Sequence, residues 1–218
     1  MRISDIPLQN NALKTTLHSM ACEGVELAAE GLSTFVGEQI SISSPQVAVI
    51  PLAALPKVMG GPESIGVGVY LAVEGDIQGH VMLLLSRESA LELVGLLLDT
   101  DEENITTLGP LERSALGEIG NLTASRFLNC MARYARADLR PSPPAVIEDM
   151  IGAILDVLAV AVGQHSEYAL IMETVFRRTD RSVEALFWVV PDVDSLEQLT
   201  QIAETISDPA FEHAVRAL

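Results

Sequence analysis

Residues 111–129, LERSALGEIGNLTASRFLN, carry Ser114, Glu118 and Asn121 at i, i+4 and i+7. At about 100° per residue these side chains fall in a narrow sector of one helix face, so an acid and an amide can engage a single target together. Downstream, RPSPPAV supplies Pro144, with 22 residues between it and Asn121. The rest of the chain holds a faded copy. Setting Pro45 of SISSPQV against Pro144 gives an offset of 99 residues, which places Thr15 opposite Ser114, Ser19 opposite Glu118 and Cys22 opposite Asn121. One half keeps the acid and the amide; the other has lost both.

The offset organises the chain into two halves, about 10–100 and about 108–207, within a single domain spanning 1–218. From about Asn10 to Gly37 the sequence is proline-free and apolar at helical spacing, which predicts a long helix stopped by glycine. After it QVAVIPL reads as a strand, Met59-Gly60-Gly61-Pro62 as a loop, and Gly68–Glu74 with Gly79–Ser86 as an antiparallel pair across a short turn. Ser86, with Ser89 as the alternative, reads as the N-cap of RESALELVGLLL. The second half repeats this order. Its long helix opens at Leu108-Gly109-Pro110 and runs to about Ala137, followed by strand AVIED, the apolar segment 150–162, strands 168–177 and 183–190, and a helix at about 195–207. Leu91-Glu92 matches Leu196-Glu197 at an offset of 105, so about six residues have been added, most simply around 150–163. The predicted fold is a pseudo-two-fold α/β (α+β) domain with an antiparallel-type six-stranded sheet and two long helices packed on it. Gly117 and Gly120 flank Glu118, each at up to about 1 kcal/mol in helix propensity, so close approach of a helix or the sheet should offset them. Gly24 and Gly31 provide similar small positions in the first helix, and the two long helices are expected side by side with their polar sectors outward.

A net charge of −17, with lysine only at 14 and 57, excludes general binding to nucleic acid or to an anionic membrane surface. Such acidity fits an ordinary cytosolic protein and also life at high salt. Cys22 and Cys130 show no Cys-x-x-Cys spacing and are expected to be small buried residues. No signal-peptide pattern is read in MRISDIPLQNNAL, and the longest apolar stretch, 150–162, is too short to span a bilayer and contains Asp156. A soluble, cytoplasmic protein is expected. His18, His80, His165 and His213 lack metal-ligand spacing, so no metal or other cofactor of its own is expected. Phe187 and Trp188 read as strand core.

Together these residues resemble the CheC-like phosphatases of bacterial and archaeal chemotaxis, related to CheX and to the amino-terminal part of FliY. The resemblance lies in an Asp or Ser, three residues, Glu, two residues, Asn, then 22 residues and Pro, matched here by Ser114, Glu118, Asn121 and Pro144. It extends through the EIGN context, PSPPAV and EYALIMETVF. A lone Glu-x-x-Asn carries no weight. The proline spacing and the internal repeat make it specific.

The resemblance implies hydrolysis of the aspartyl phosphate on a CheY-type response-regulator receiver, which brings its own Mg²⁺. Glu118 would pair with the receiver's active-site lysine and Asn121 would orient the attacking water. Ser114 would orient Glu118, and Pro144 would shape the helix-to-strand connection. Thr15, Ser19, Cys22 and Pro45 form the degenerate second site, expected to be inactive because neither serine nor cysteine supplies a carboxylate or a paired amide donor and acceptor. Glu23 and Glu26 are not expected to compensate. The other reading is a non-catalytic or weakly catalytic module binding a phosphorylated receiver or a CheD-type deamidase. A monomer is expected, and the end of the sequence at Leu218 argues against a flagellar-switch role like that of FliY.

Overall fold

The structure, a computed structural model, describes residues 11–43, 46–98, 105, 107–162, 168–178 and 181–191. Pro45 and the helix expected at 195–207 lie outside the described residues. The first half runs α1 (Asn11–Val36), β1 (Ser41–Ile42), β2 (Gln46–Pro51), the one-turn α2 (Leu55–Val58), β3 (Ile65–Gly75), β4 (Gly79–Ser86) and α3 (Arg87–Leu98). The second runs α4 (Pro110–Ala135), β5 (Leu139–Pro141), β6 (Ala145–Met150), α5 (Ile151–Val162), β7 (Tyr168–Arg178) and β8 (Arg181–Pro191). The long helices are both 26 residues and start 99 positions apart. β3 and β7 are both 11 residues and start 103 apart, so four of the added residues fall between β6 and β7, where α5 forms.

The sheet is antiparallel, as expected, but among the described residues it has eight strands in six positions. β1 and β2 follow one another along β7, and β5 and β6 follow one another along β3. The order across the sheet is therefore β1/β2, β7, β8, β4, β3, β5/β6. Each half places its first strands on the hairpin of the other half, and β4 pairs with β8 at the centre.

A serine makes the break in each outer position. Ser142 donates its N–H to Ala72 O (2.8 Å) and accepts Ala72 N–H on Oγ (3.0 Å). Ser43, 99 positions earlier, does the same with Val175 at 2.9 and 3.0 Å. The hydroxyl stands in for a backbone carbonyl just where the strand turns aside, so the inner strand keeps its ladder partner. Proline follows within two positions of the serine in both sequences.

Both faces of the sheet are covered, which accounts for the unbroken apolar runs of β4 and β8. Val69, Leu71, Val81, Leu83 and Phe187 pack under the long helices and α3, while Met82, Leu84, Leu186 and Trp188 pack under α2 and α5. Phe187 meets Phe127 of α4 edge to face at 5.5 Å, and Trp188 is fully buried. Ser86 caps α3 as predicted, accepting Ser89 N–H at 3.0 Å. α4 ends on Arg136 in the left-handed region, with Ala137 N–H returning to Ala132 O.

The glycines beside Glu118 have different reasons. A Cβ added at Gly120 would stand 2.9 Å from Val69 Cβ, in a fully buried part of the sheet, whereas one at Gly117 would meet Pro144 Cγ at 3.5 Å, an ordinary contact. Gly120→Ala should therefore destabilise the fold by about 1–3 kcal/mol through overpacking. Gly117→Ala should be neutral or stabilise by up to about 1 kcal/mol. Denaturant unfolding of the two variants checks the contrast, and equal destabilisation would contradict the seating of α4 on β3.

Candidate functional site

α4 lies in a cradle of three parts. The sheet is beneath it, α1 is on one side, and the chain around Pro144 is on the other. Leu116, Ile119, Gly120, Thr123, Ala124 and Phe127 are turned inward and buried. Antiparallel α1 closes in through its small residues, Gly24 against Phe127 and Gly31 against Leu122. On the opposite shoulder Pro144 and Val146 approach Gly117. What remains outward is the sector of Ser114, Glu118 and Asn121, about 60° wide and about 10 Å long by helix geometry.

Ser114 and Glu118 are exposed and Asn121 is half-buried. Among the described residues none gives any of the three a side-chain hydrogen bond or ion pair, and Ser114 does not bond Glu118. With the half-buried Ser125 on the same side, the sector holds one charge, Glu118, in a chain of net charge −17. Its carboxylate and amide are thus available to groups brought from outside. Among the described residues no three His, Cys, Asp or Glu side chains converge as metal ligands.

The degenerate face is on the pseudo-equivalent side of α1. Ser19 is exposed and Cys22 is half-buried, with its Sγ 3.7 Å from His18 Nε2, so the expectation that both cysteines are buried holds only for Cys130. Thr15 belongs to the same helix. Glu23 cannot supply the missing acid. It is turned toward α4, where it pairs with Arg133 and accepts Cys130 Sγ–H at 3.3 Å. Burial pushes the Glu23 carboxyl up, but hydrogen bonds from Arg133 and Cys130 outweigh it and hold the group below its ordinary range. The Cys130 thiol is pushed up to about 12 by burial and by the facing Glu23 carboxylate.

The CheC-like family profile matches residues 111–148, which include Ser114, Glu118, Asn121 and Pro144. The chain is 26% identical to the Bacillus subtilis protein named CheY-P phosphatase CheC, over 81% of this chain and 86% of that protein. It is 27% identical to CheC1 of Halobacterium salinarum, over 83% of this chain and 90% of that protein. Over residues 111–148 the chain is therefore similar to the CheC-like family. Among solved structures, Thermotoga maritima FliY superposes with a TM-score of 0.74 at 17% identity, over 91% of this chain and 99% of that one. A chain of the H. pylori FliM–SpeE complex gives 0.64 at 10% identity, over 91% of this chain and 97% of that one. At such identities these two share the fold. The long helices of the two halves match in length and differ in their outward chemistry.

Sequence spacing alone did not single out Ser43 and Ser142, although they repeat at the same 99-residue offset and precede the two prolines by two positions. Nor did it single out the Glu23–Cys130–Arg133 contacts, which join residues more than 100 positions apart in sequence.

Two solution outcomes follow from the inter-helix cluster. A thiol needs its thiolate to react, so at mildly alkaline pH a disulfide reagent should titrate Cys22 in the native protein and reach Cys130 only on unfolding. Two fast native thiols would contradict the placement of Cys130. Because the folded Glu23 carboxyl lies below its unfolded value, its stabilisation is present above that unfolded value and is lost as pH falls through the lowered one. Glu23→Gln should therefore flatten the acid limb of a stability-against-pH profile, and an unchanged limb would show that the pair does not couple to folding.

Proposed function

We propose that this protein is a phosphatase that hydrolyses the aspartyl phosphate of a CheY-type receiver domain in chemotaxis signalling, acting in the cytoplasm. The observation that carries the reading is the outward pair Glu118 and Asn121, held on one helix with no side-chain partner among the described residues. The similarity to the Bacillus subtilis protein named CheY-P phosphatase CheC, across most of both chains, supports the same substrate class.

Hydrolysis here requires water to attack phosphorus opposite the aspartyl oxygen. The P–O bond to the aspartate breaks, the carboxylate leaves with the bonding pair, and inorganic phosphate forms. Little of this needs a strong base, because phosphoryl transfer depends mainly on alignment and charge stabilisation. The Asn121 amide can accept a hydrogen bond from the water and hold it in line, with its N–H₂ free to donate to a second oxygen. Glu118, one turn earlier, offers its carboxylate to a cation on the receiver, most simply the lysine of its phosphorylation site. The receiver contributes the acyl phosphate and Mg²⁺, and this chain contributes two side chains at fixed separation. The low charge of the surrounding sector keeps further carboxylates away from the anionic phosphoryl group.

The first half contributes the frame without the chemistry. Ser19 cannot reach a lysine as a carboxylate would, and Cys22 cannot both accept from and donate to water and phosphate as an amide does.

The test is phosphate release from a Mg²⁺-loaded, phosphorylated CheY-type receiver. Wild-type protein should raise the rate above autodephosphorylation, and Asn121→Ala should lower the acceleration by about 100-fold, the scale associated with loss of alignment or of one stabilising donor. Glu118→Ala should reduce kcat/KM on a similar scale. Ser19→Ala with Cys22→Ala should keep nearly full activity. Binding of the phosphorylated receiver without acceleration would reduce the protein to a binding module, and full activity in both Glu118→Ala and Asn121→Ala would remove the site assignment.

A further inference from the structure

Arg113, one residue before Ser114, reaches three acceptors outside its own helical turn. Its Nε donates to Leu108 O (3.1 Å), Nη1 to Val146 O (3.4 Å) and Nη2 to Glu148 Oε2 (3.0 Å). The other Glu148 oxygen accepts Arg87 Nε at 3.2 Å, and Arg87 is the first residue of α3. One carboxylate thus joins the start of α3, the first turn of α4 and the strand that follows Pro144. Val146 is gripped twice, by Arg113 at its carbonyl and by Gly117 against its side chain, where an added Cβ would be 3.7 Å from Cγ2.

Among the described residues β6 is an outer strand that pairs with β3 alone, so the side of α4 toward Pro144 rests on a single edge. Contact at Gly117 limits how far α4 can approach that edge but does little to stop it rolling about its axis. The Arg113–Glu148 arm lies off the axis and opposes such a roll. With side-chain tips about 5–6 Å from the helix axis, a roll of about 10° moves them by about 1 Å. A displacement of that size can cost about 100-fold when the chemistry depends on alignment.

The chain contains its own comparison. The 99-residue offset places Lys14 opposite Arg113 and Val49 opposite Glu148, so the first half carries no carboxylate at the position of Glu148. The arm occurs in the half that retains the acid and amide.

We propose that Arg113, Glu148 and Arg87 are positioning residues that set the rotation of the Ser114–Glu118–Asn121 face relative to Pro144. This rests on the phosphatase reading above. They act through Glu118 and Asn121 and touch neither phosphate nor water.

The experiment measures kcat and KM for dephosphorylation of the Mg²⁺-loaded receiver, together with thermal unfolding, for the full chain and three variants. Glu148→Gln keeps the shape and removes the charge. Arg113→Lys keeps the charge and loses the fork that spans three acceptors. Arg140→Gln breaks the exposed Arg140–Asp138 pair and serves as a matched control. Glu148→Gln and Arg113→Lys should each lower kcat by about 10-fold or more while KM stays within about twofold, and Arg140→Gln should leave both constants unchanged. Full kcat in either variant, or a loss reproduced by Arg140→Gln, overturns the proposal. If Glu148→Gln does not fold, Arg113→Lys decides alone. A wild type that does not accelerate dephosphorylation removes the phosphatase reading and this proposal together, whereas an active wild type with fully active variants removes this proposal only.

Discussion

The structure depends on reciprocal strand exchange across one antiparallel seam. β4 and β8 pair at the centre, and each hairpin receives its outer strands from the opposite half. Neither half completes its own sheet. Backbone polar groups on the inner strands would otherwise be left at an edge, where each unpaired donor or acceptor is either wetted or costly. Exchange also fixes the helices, since α1 and α4 connect into strands that lie on each other's hairpin. The two helices are thereby brought side by side in opposite directions, with glycines at their closest contacts.

That symmetric frame carries an asymmetric surface. Both long helices have the same length, each is followed by a serine-broken strand, and each turns a sector of side chains outward. Only α4 presents a carboxylate and an amide together. Keeping the first helix is physically necessary whatever its surface does, because α1 packs on β1 and β2 at one end of the sheet and forms one wall of the α4 cradle. Its outward positions are free of that duty, so Ser19 and Cys22 can replace an acid and an amide while Gly24, Ala28, Gly31 and Leu32 keep the packing.

Much of the fold was legible from local pattern. Apolar spacing at 3.6 residues marked the long helices, and a short turn between β-branched and apolar runs marked the β3–β4 hairpin. The shared outward face of Ser114, Glu118 and Asn121 was legible too, because the three lie within two turns of one helix, where spacing translates directly into direction. Glycine was informative only by half. Gly117 and Gly120 both implied a close neighbour, yet one faces Pro144 at ordinary contact distance and the other is pressed onto Val69. The number of strands was under-read for a similar reason. Two- and three-residue strands such as β1 and β5 have too few residues to show alternation, and are defined by the neighbour that pairs with them.

By itself, the sequence determined the two long helices, the longer strands and the residue types on each helix face, because these follow from periodicities of a few residues, and the repeat at 99 residues, which is read by direct comparison of the halves. Tertiary structure decided which half lends its strands to which hairpin, that Glu23 turns away from the outward face to meet Arg133, and that Arg113 is tied to Glu148 across a connection of 35 residues. Such contacts join groups distant along the chain, and no local period encodes them. They arise only when burial of both sheet faces brings the helices and edge strands to their places.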